Sequence, residues 1–362
     1  MSSLTLRRFL LPVALLPVLA VGGSASAERV TKYPVGGLYP TPIEIVTGPD
    51  GNLWFADRYA ASVSRMTPDG AVSRVNVGTA TPGPFGVAVG PDGNIWFTES
   101  TGNRIGKIEL KTITQSGPNE TLFPHVVEYE VPTAGAYPTV ITAGPDGNMW
   151  FVELLAHKIG RITPQGSVTE FETPTKESFP KAITAGSDGA LWFVESEVDR
   201  IGRITVDGAI TEFKLPHDYS SPYRITSGPD GALWFTEYLG DRLGRITTAG
   251  AITEIYLGKG AFPRGVTTGP DGALYVTMGS DSNKRVGRFE TNGSARDIRI
   301  PQLSEERPIP GYDFTPSKSG NLQGITVGPD GNIWFTENDT GKVGKIEIDG
   351  HGIATEAAPS RR

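Results

Sequence analysis

One phrase recurs seven times along the chain, and it limits the possible folds more than any other feature. Each copy begins with Gly-Pro-Asp-Gly, or with Gly-Ser-Asp-Gly once, and leads into Trp-Phe in six copies and Tyr-Val in one. Its aspartates are Asp50, Asp92, Asp146, Asp188, Asp230, Asp271 and Asp330, which are spaced by 42, 54, 42, 42, 41 and 59 residues. A unit of about 42 residues, rich in β-branched and aromatic residues, predicts an all-β, seven-bladed β-propeller with four-stranded antiparallel blades.

Residues 180–216 show how one repeat divides into strands. Lys181–Ala185 is predicted as the inner strand, Leu191–Glu195 as the second, Arg200–Thr205 as the third and Ala209–Leu215 as the outermost. The second strand is apolar on both faces, as expected of a sheet that lies between two neighbours. The two long spacings predict loop insertions near residues 112–125 and 299–318.

A propeller must also join its first blade to its last, and two segments compete for this role. Val30–Val35 resembles the outermost strand of a repeat but precedes the first inner strand, so we expect it to complete the seventh blade. Ile353–Ala358 is the alternative, although it has little β-branched character. The predicted organisation is therefore a propeller over residues 28–358 and a tail over 359–362.

Residues 1–27 have the three parts of a secretory signal. Arg7 and Arg8 precede an apolar run from Phe9 to Val21, and small residues around Ala27 predict cleavage after that position. The apolar run is too short to span a bilayer, which takes about 20 residues. We expect a secreted or periplasmic protein with no membrane span; the paired arginines leave the general secretory and twin-arginine routes both open.

Charge and cysteine content exclude several classes of function. Cleavage after Ala27 removes two of the 33 basic residues and none of the 40 acidic ones, so the mature chain has a net charge of −9. An acidic chain of this kind does not favour nucleic-acid binding. The absence of cysteine excludes disulfides and thiolate sites. We expect a monomer whose partner is a small-molecule ligand or a protein loop.

Strand direction brings the starts of the inner strands to one end of the central channel. The residues there, each following a proline or Leu322, are Ile43, Phe85, Thr139, Lys181, Tyr223, Arg264 and Gln323. This ring is apolar on one side and cationic on the other. Lys181, Tyr223, Arg264 and Gln323 are the predicted ligand-binding residues, suited to an anionic or aromatic ligand or to a partner's loop.

The second strands end at the same side of the molecule, and six of them end in an acid. These acids are Asp57, Glu99, Glu153, Glu195, Glu237 and Glu337. In one interpretation each pairs with a basic residue at the start of the third strand, such as Arg104, Lys158 or Arg200. In the other, Glu337 and one or more of Glu99, Glu153, Glu195 and Glu237 hold Mg²⁺ or Ca²⁺ over the channel. The four histidines form no pattern typical of a metal site, and His157 alone is expected near the acids.

The repeated phrase, followed by Ile-Gly-Arg-Ile, resembles the streptogramin B (virginiamycin B) lyases over roughly residues 29–350. The resemblance implies a propeller that uses Mg²⁺ to open a cyclic depsipeptide by elimination at its ester bond. It also implies that one metal-binding glutamate is Glu337 and that the other falls on Asn321. The implied general-base histidine falls on Gln323, and a second histidine falls on Arg264.

A neutral amide and a permanently charged guanidinium cannot take a proton from a substrate near neutral pH. The sequence therefore favours a binding propeller over the family's lyase activity. The alternative is a metal-dependent lyase or hydrolase acting on a cyclic ester, lactone or depsipeptide.

Overall fold

The computed structural model describes residues 29–37, 40–77, 83–113, 121–122, 124–279, 283–300 and 321–348. The predicted signal segment, the segment Ile353–Ala358, the tail 359–362 and nearly all of the second insertion lie outside the described residues. Within the described ranges, no helix has the length and apolar character needed to cross a bilayer.

The described residues form seven β-sheets and two short 3₁₀ helices. The strands are β1 (Val30–Pro34), β2 (Pro42–Thr47), β3 (Leu53–Asp57), β4 (Ser62–Met66), β5 (Val72–Asn76), β6 (Pro84–Val89), β7 (Ile95–Glu99), β8 (Arg104–Ile108), β9 (Thr121–Leu122), β10 (Val126–Glu130), β11 (Pro138–Ala143), β12 (Met149–Glu153), β13 (Lys158–Ile162), β14 (Val168–Glu172), β15 (Pro180–Ala185), β16 (Leu191–Glu195), β17 (Arg200–Ile204), β18 (Ile210–Lys214), β19 (Pro222–Ser227), β20 (Leu233–Glu237), β21 (Arg242–Ile246), β22 (Ile252–Tyr256), β23 (Val266–Thr268), β24 (Leu274–Met278), β25 (Arg285–Phe289), β26 (Ala295–Arg299), β27 (Leu322–Val327), β28 (Ile333–Glu337) and β29 (Lys342–Ile346). The 3₁₀ helices are Leu110–Thr112 and Asn338–Thr340.

Each sheet is one blade of a seven-bladed propeller, as the sequence predicts. From the inside outward the blades are β2-β3-β4-β5, β6-β7-β8-β10, β11 to β14, β15 to β18, β19 to β22, β23 to β26, and β27-β28-β29-β1. Strand β9, from the first insertion, adds to the outer edge of blade one in parallel with β5. The inner strands of neighbouring blades contact each other all round the ring, including β27 against β2.

The N-terminal strand closes the ring, which confirms the sequence prediction. Strand β1 pairs antiparallel with β29, and Val30 lies opposite Ile346. The ring of Tyr33 stacks on Trp334 with 5.4 Å between centroids. Blade seven thus takes its outer strand from the opposite end of the chain.

The Gly-Pro-Asp-Gly phrase forms a tight turn, and it also anchors the tryptophan that follows. In blade one the N–H of Gly51 donates to the carbonyl of Gly48 (3.2 Å), and the indole N–H of Trp54 donates to Asp50 (3.0 Å). The same bond recurs at all six tryptophans, which are at most 2% exposed. Each aspartate satisfies the polar atom of an otherwise buried indole.

Each second strand that ends in glutamate buries that side chain completely. Glu99, Glu153, Glu195 and Glu237 are 0% exposed, and each faces an acid of the fourth strand in its own blade. The pairs are Glu99 with Glu128, Glu153 with Glu170, Glu195 with Glu212, and Glu237 with Glu254. Burial in the first place, and repulsion from the second carboxylate in addition, raise the pKa of Glu99 to about 7 and the pKa values of Glu153 and Glu195 to about 8.

The predicted pairing of these four acids with third-strand bases is wrong. The bases instead bind the fourth-strand acids: Lys158 contacts Glu170 at 3.0 Å, and Arg200 contacts Glu212 at 3.8 Å. The fourth-strand carboxylates are more accessible than the second-strand glutamates. The long basic side chains therefore reach them while their charged groups stay hydrated. Glu337 in blade seven differs from these four glutamates because its neighbour on the fourth strand is a base. The Lys32 ammonium lies 2.7 Å from the Glu337 carboxylate.

The buried pairs predict an unusual dependence of stability on pH. The folded pKa of Glu195, about 8, lies above the ordinary value of 4.5, so the folded state holds a proton that the unfolded state releases. The free energy of unfolding should therefore fall as the pH rises from 4.5 to about 8. In urea titrations, Glu195→Gln should reduce this slope by up to about 1.4 kcal/mol per pH unit. The exposed neighbour Glu197→Gln is the control, and equal slopes in the two variants would contradict the assignment.

The closing strand predicts the result of a truncation. Deleting residues 28–36 leaves an unpaired edge on β29 and removes Tyr33 from Trp334, so the melting temperature should fall by more than about 5 °C or the molecules should associate. Calorimetry and size-exclusion chromatography measure both effects. Deleting residues 351–362 is the matched control. If the first deletion is harmless and the second is not, closure depends on the other end of the chain.

Candidate functional site

The inner strands begin, and the second strands end, at one side of the propeller, which we call the mouth face. Its centre is formed by Lys181, Tyr223, Arg264 and Gln323. Aromatic residues that directly precede inner-strand prolines have left-handed backbone conformations, with φ of 57° at Tyr137, 48° at Phe179 and 42° at Phe262. Such conformations are costly for large side chains, and they are typical of functional sites.

Three of the four predicted ligand-binding residues are in direct contact. The ammonium of Lys181 lies 4.7 Å from the centre of the Tyr223 ring, in cation–π geometry. The hydroxyl of Tyr223 donates to the side-chain carbonyl of Gln323 (3.2 Å). These contacts join blades four, five and seven across the mouth.

The fourth residue, Arg264, is held by a second set of contacts. Its guanidinium donates to the carbonyl oxygen of Asn321 (2.8 Å) and to the hydroxyl of Tyr238 (3.3 Å). Asn321 in turn donates to Asp339 (2.9 Å). The rings of Tyr238 and Tyr223 are 5.7 Å apart, so the two sets form one continuous surface.

An ion pair that the sequence analysis missed lies at the centre of this surface. The Arg224 guanidinium donates through Nε to the Glu44 carboxylate (3.1 Å), and Arg224 also stacks on Tyr223 at 4.7 Å. Blades one and five are not neighbours, so the pair bridges the channel. The available signal was a charge at the second position after the inner-strand proline, where the other blades have Gly86, Val140, Ala182, Gly265 and Gly324.

Positive charge at the mouth is only partly neutralised. Arg224 has Glu44 as its partner, but among the described residues no carboxylate lies within ion-pair distance of the Lys181 ammonium. Burial, followed by repulsion from Arg224, lowers the pKa of Lys181 from its ordinary value. An unpaired, half-buried ammonium next to a phenol ring is suited to receive an anion.

Large apolar side chains are exposed on the loops of the mouth face. They are Tyr59, Leu155, Tyr219 and Leu239, with exposures of 72%, 52%, 86% and 57%. Single exposed apolar residues are common on proteins, but four on one face provide apolar area around the polar centre. The mouth therefore combines a cation with aromatic and aliphatic surface.

The five glutamates predicted as metal ligands do not come together. Glu99, Glu153, Glu195, Glu237 and Glu337 belong to five different blades, and each is 0% exposed. The Glu337 carboxylate contacts Lys32 and accepts a hydrogen bond from Thr340 (2.9 Å). Among the described residues, no three His, Asp or Glu side chains are arranged to hold a metal ion. A metal at these glutamates stays a prediction.

The histidines of the described residues have local partners. His157 accepts a hydrogen bond from the backbone N–H of Phe179 (3.3 Å), and the two rings meet edge to face. His125 contacts Glu109, and His217 contacts Glu254 at 2.6 Å. His157 therefore supports one of the strained aromatic residues of the mouth face.

Comparison with known proteins gives a consistent result. The model of the Virginiamycin B lyase family matches residues 18–220 and 195–351. The virginiamycin B lyase of Staphylococcus aureus is 33% identical, with a TM-score of 0.76 over 89% of this chain and 99% of that one. A structure described as a streptogramin B lyase is 31% identical, with a TM-score of 0.78 over 90% of this chain and all of that one.

Two further relatives belong to the same family. One solved structure is a catalytically inactive variant of the Staphylococcus aureus enzyme with quinupristin, also 33% identical to this chain. A virginiamycin B lyase of Nocardia farcinica is 32% identical over 129 residues, an alignment that spans 36% of this chain and only 40% of that relative. The family model covers most of the chain, and the chain therefore belongs to the virginiamycin B lyase family.

Proposed function

We propose that this protein is a secreted, ligand-binding member of its family that has little or no streptogramin-opening activity. Its ligand is a small molecule with an anionic group and an aromatic or apolar body, bound at the mouth face. The observation that carries the proposal is the chemistry at Gln323, the position that the family resemblance assigns to a general base.

Gln323 cannot act as that base. Its side-chain carbonyl accepts a hydrogen bond from Tyr223, and an amide has no appreciable affinity for a proton near neutral pH. Arg264, at the second position that the resemblance assigns to histidine, stays protonated and is fixed by Asn321 and Tyr238. Neither residue can remove a proton from a substrate.

The residues at the implied magnesium positions do not fit a magnesium ion. Mg²⁺ needs carboxylate oxygens in near-octahedral geometry with several waters. Glu337 is fully buried with Lys32 against it, and the Asn321 oxygen is turned to the Arg264 guanidinium. Two cations thus face the oxygens that a metal would require, so we derive no reaction step through a metal.

The same surface is suited to an anion. The Lys181 ammonium lies 4.7 Å from the centre of the Tyr223 ring and is attracted by the Glu197 carboxylate only from beyond ion-pair distance. An incoming carboxylate, sulfonate or phosphate would give it a charge-assisted hydrogen bond. The exposed rings of Tyr59 and Tyr219 offer area for an apolar body. Binding that combines one charged contact with apolar surface is typical of small-molecule sites.

A metal-dependent lyase or hydrolase acting on a cyclic ester remains the second candidate. It is supported by 33% identity to the Staphylococcus aureus lyase over 99% of that protein. The two functions differ in whether the substrate is consumed.

The missing base predicts the outcome of an activity assay. With quinupristin and Mg²⁺, the native protein should give little or no ring opening, because general-base catalysis typically contributes about 10²–10⁴-fold. Chromatography of the reaction mixture separates the cyclic from the linear product. Efficient opening by the native protein would contradict the proposal and favour the second candidate.

The paired experiment rebuilds the family's residues by combining Gln323→His, Arg264→His and Asn321→Glu. If these positions account for the deficit, the triple variant should open quinupristin faster than the native protein. Gln323→Asn, which stays neutral, is the control and should remain inactive. Equal rates in the two variants would show that imidazole at these positions is not what the native protein lacks.

The anion site predicts a loss of affinity. The fluorescent probe 2-naphthoate should bind the native protein, and Lys181→Met should weaken binding by about 10- to 100-fold, because a hydrogen bond to a charged group typically contributes about 1.5–3 kcal/mol. Fluorescence titration measures the dissociation constants. The exposed Lys176→Met makes the same change in net charge and is the control. Equal weakening by both variants would indicate a general charge effect without a site.

A further inference from the structure

An aromatic slot recurs at the outer part of four blades, on the side facing the next blade. In each, the tryptophan of the second strand stacks with an aromatic residue of the fourth strand, with ring centroids 5.4–6.0 Å apart. The pairs are Trp334 with Tyr33, Trp96 with Tyr129, Trp150 with Phe171, and Trp192 with Phe213.

The turn between the third and fourth strands of the next blade covers each of these rings. A Cβ atom added to Gly70, Gly166, Gly208 or Gly250 would lie 2.0–2.3 Å from the ring, so glycine is required for the approach. A third-strand cation forms another wall: the Arg161 guanidinium lies 5.5 Å from both the Trp150 and the Phe171 ring. A ring in this slot thus contacts an indole and a glycine turn, and in blade three it also contacts a cation.

Blade five has the same walls without the ring. Trp234 and Arg245 are present, with the guanidinium 6.0 Å from the indole, but Ile255 occupies the position of the aromatic residue. A Cβ added to the covering Gly293 would meet no atom within 4 Å. A cavity of about 70 Å³ remains, and its lining includes Trp234, Arg245, Glu254, Ile255, Asn292 and Gly293.

The two other blades that lack the ring fill the space with aliphatic side chains. In blade one, Leu110 and Ile113 of the first insertion join the cluster that contains Trp54 and Val75. In blade six, Ile348 packs against the cluster that contains Tyr275 and Ile298. In blade five, Ile255 and Leu257 pack against the cluster that contains Trp234, but the cavity of about 70 Å³ remains beside them. Trp234 is 2% exposed where the other tryptophans are 0%.

We propose that this slot binds the aromatic ring of a small molecule, stacked on Trp234 and next to Arg245. The four filled slots identify the occupant, because the same walls hold a phenyl or phenol ring there. An electron-rich ring also complements the Arg245 guanidinium, whose Nε donates to Asp230 (2.6 Å) and whose ring contact among the described residues is with Trp234.

The volume of the cavity and its place on the propeller further define the ligand. The cavity is about half of the roughly 150 Å³ that encloses a benzene molecule, so the outer part of a single ring extends past the exposed Thr291 and Asn292. The covering turn lies at the end of the propeller opposite the mouth face. The slot is therefore separate from the anion site, and its occupation does not depend on the proposed function.

The test uses p-cresol, the side-chain analogue of tyrosine, with saturation-transfer difference NMR on the native protein. We expect binding in the millimolar range, as suits a fragment of this size. Ile255→Phe supplies the missing ring from the chain itself and should abolish the signal while raising the melting temperature. Cyclohexylmethanol, which has no π-system, is the probe control and should bind more weakly.

A matched variant tests the same idea by gain of binding. Phe213→Ile recreates the blade-five arrangement between blades four and five, next to Trp192 and Gly250, and should add a second p-cresol site. This variant decides the matter if Ile255→Phe does not fold. Absence of p-cresol binding to the native protein, equal binding to Ile255→Phe, or no added site in Phe213→Ile would each overturn the proposal.

Discussion

The structure depends on one constraint: every blade is apolar on both faces, so no blade is stable until it has a neighbour on each side. The second strands, such as Leu191–Glu195, are buried over their whole length. The blades also share hydrogen bonds, because threonine hydroxyls of second strands donate to backbone carbonyls of the next inner strand, as Thr98 does to Thr139 and Thr336 to Ile43 (2.6 Å). Seven equivalent interfaces must therefore form, and the turns, anchored tryptophans and third-strand glycines all serve these interfaces.

The blades were predictable from the repeat because each repeat contains the residues that its own turns and side-chain packing require. A turn needs Gly-Pro-Asp-Gly, a buried indole needs an acceptor, and the ring of Phe193 needs a glycine opposite, since a Cβ on Gly202 would lie 2.0 Å away. Strand β1 was predictable for the same reason, because Val30–Val35 has the composition of an outer strand. These features depend on one repeat unit at a time, so a single sequence reveals them.

The site was less predictable because its contacts join different repeats. Glu44 and Arg224 are 180 positions apart, and nothing local indicates that they meet. The acids at the ends of the second strands were located correctly from the sequence, but the burial of their side chains was not predicted. Four of them, Glu99, Glu153, Glu195 and Glu237, lie beneath an acid of the fourth strand, and that more accessible carboxylate binds the basic partner. Side-chain direction and competition for cations are properties of the assembled blade.

The closing strand has a consequence for the order of folding. Val30 pairs with Ile346, a contact whose sequence separation approaches the length of the whole domain. Closing so long a loop is entropically costly, and it can occur only after blade seven exists. We therefore expect the first six blades to assemble in an open arc, and β1 to pair with β29 only after blade seven has formed. In pulsed hydrogen exchange, the amides of β1 and β29 should gain protection after those of blade four; simultaneous protection would mean that the ring closes in one concerted step.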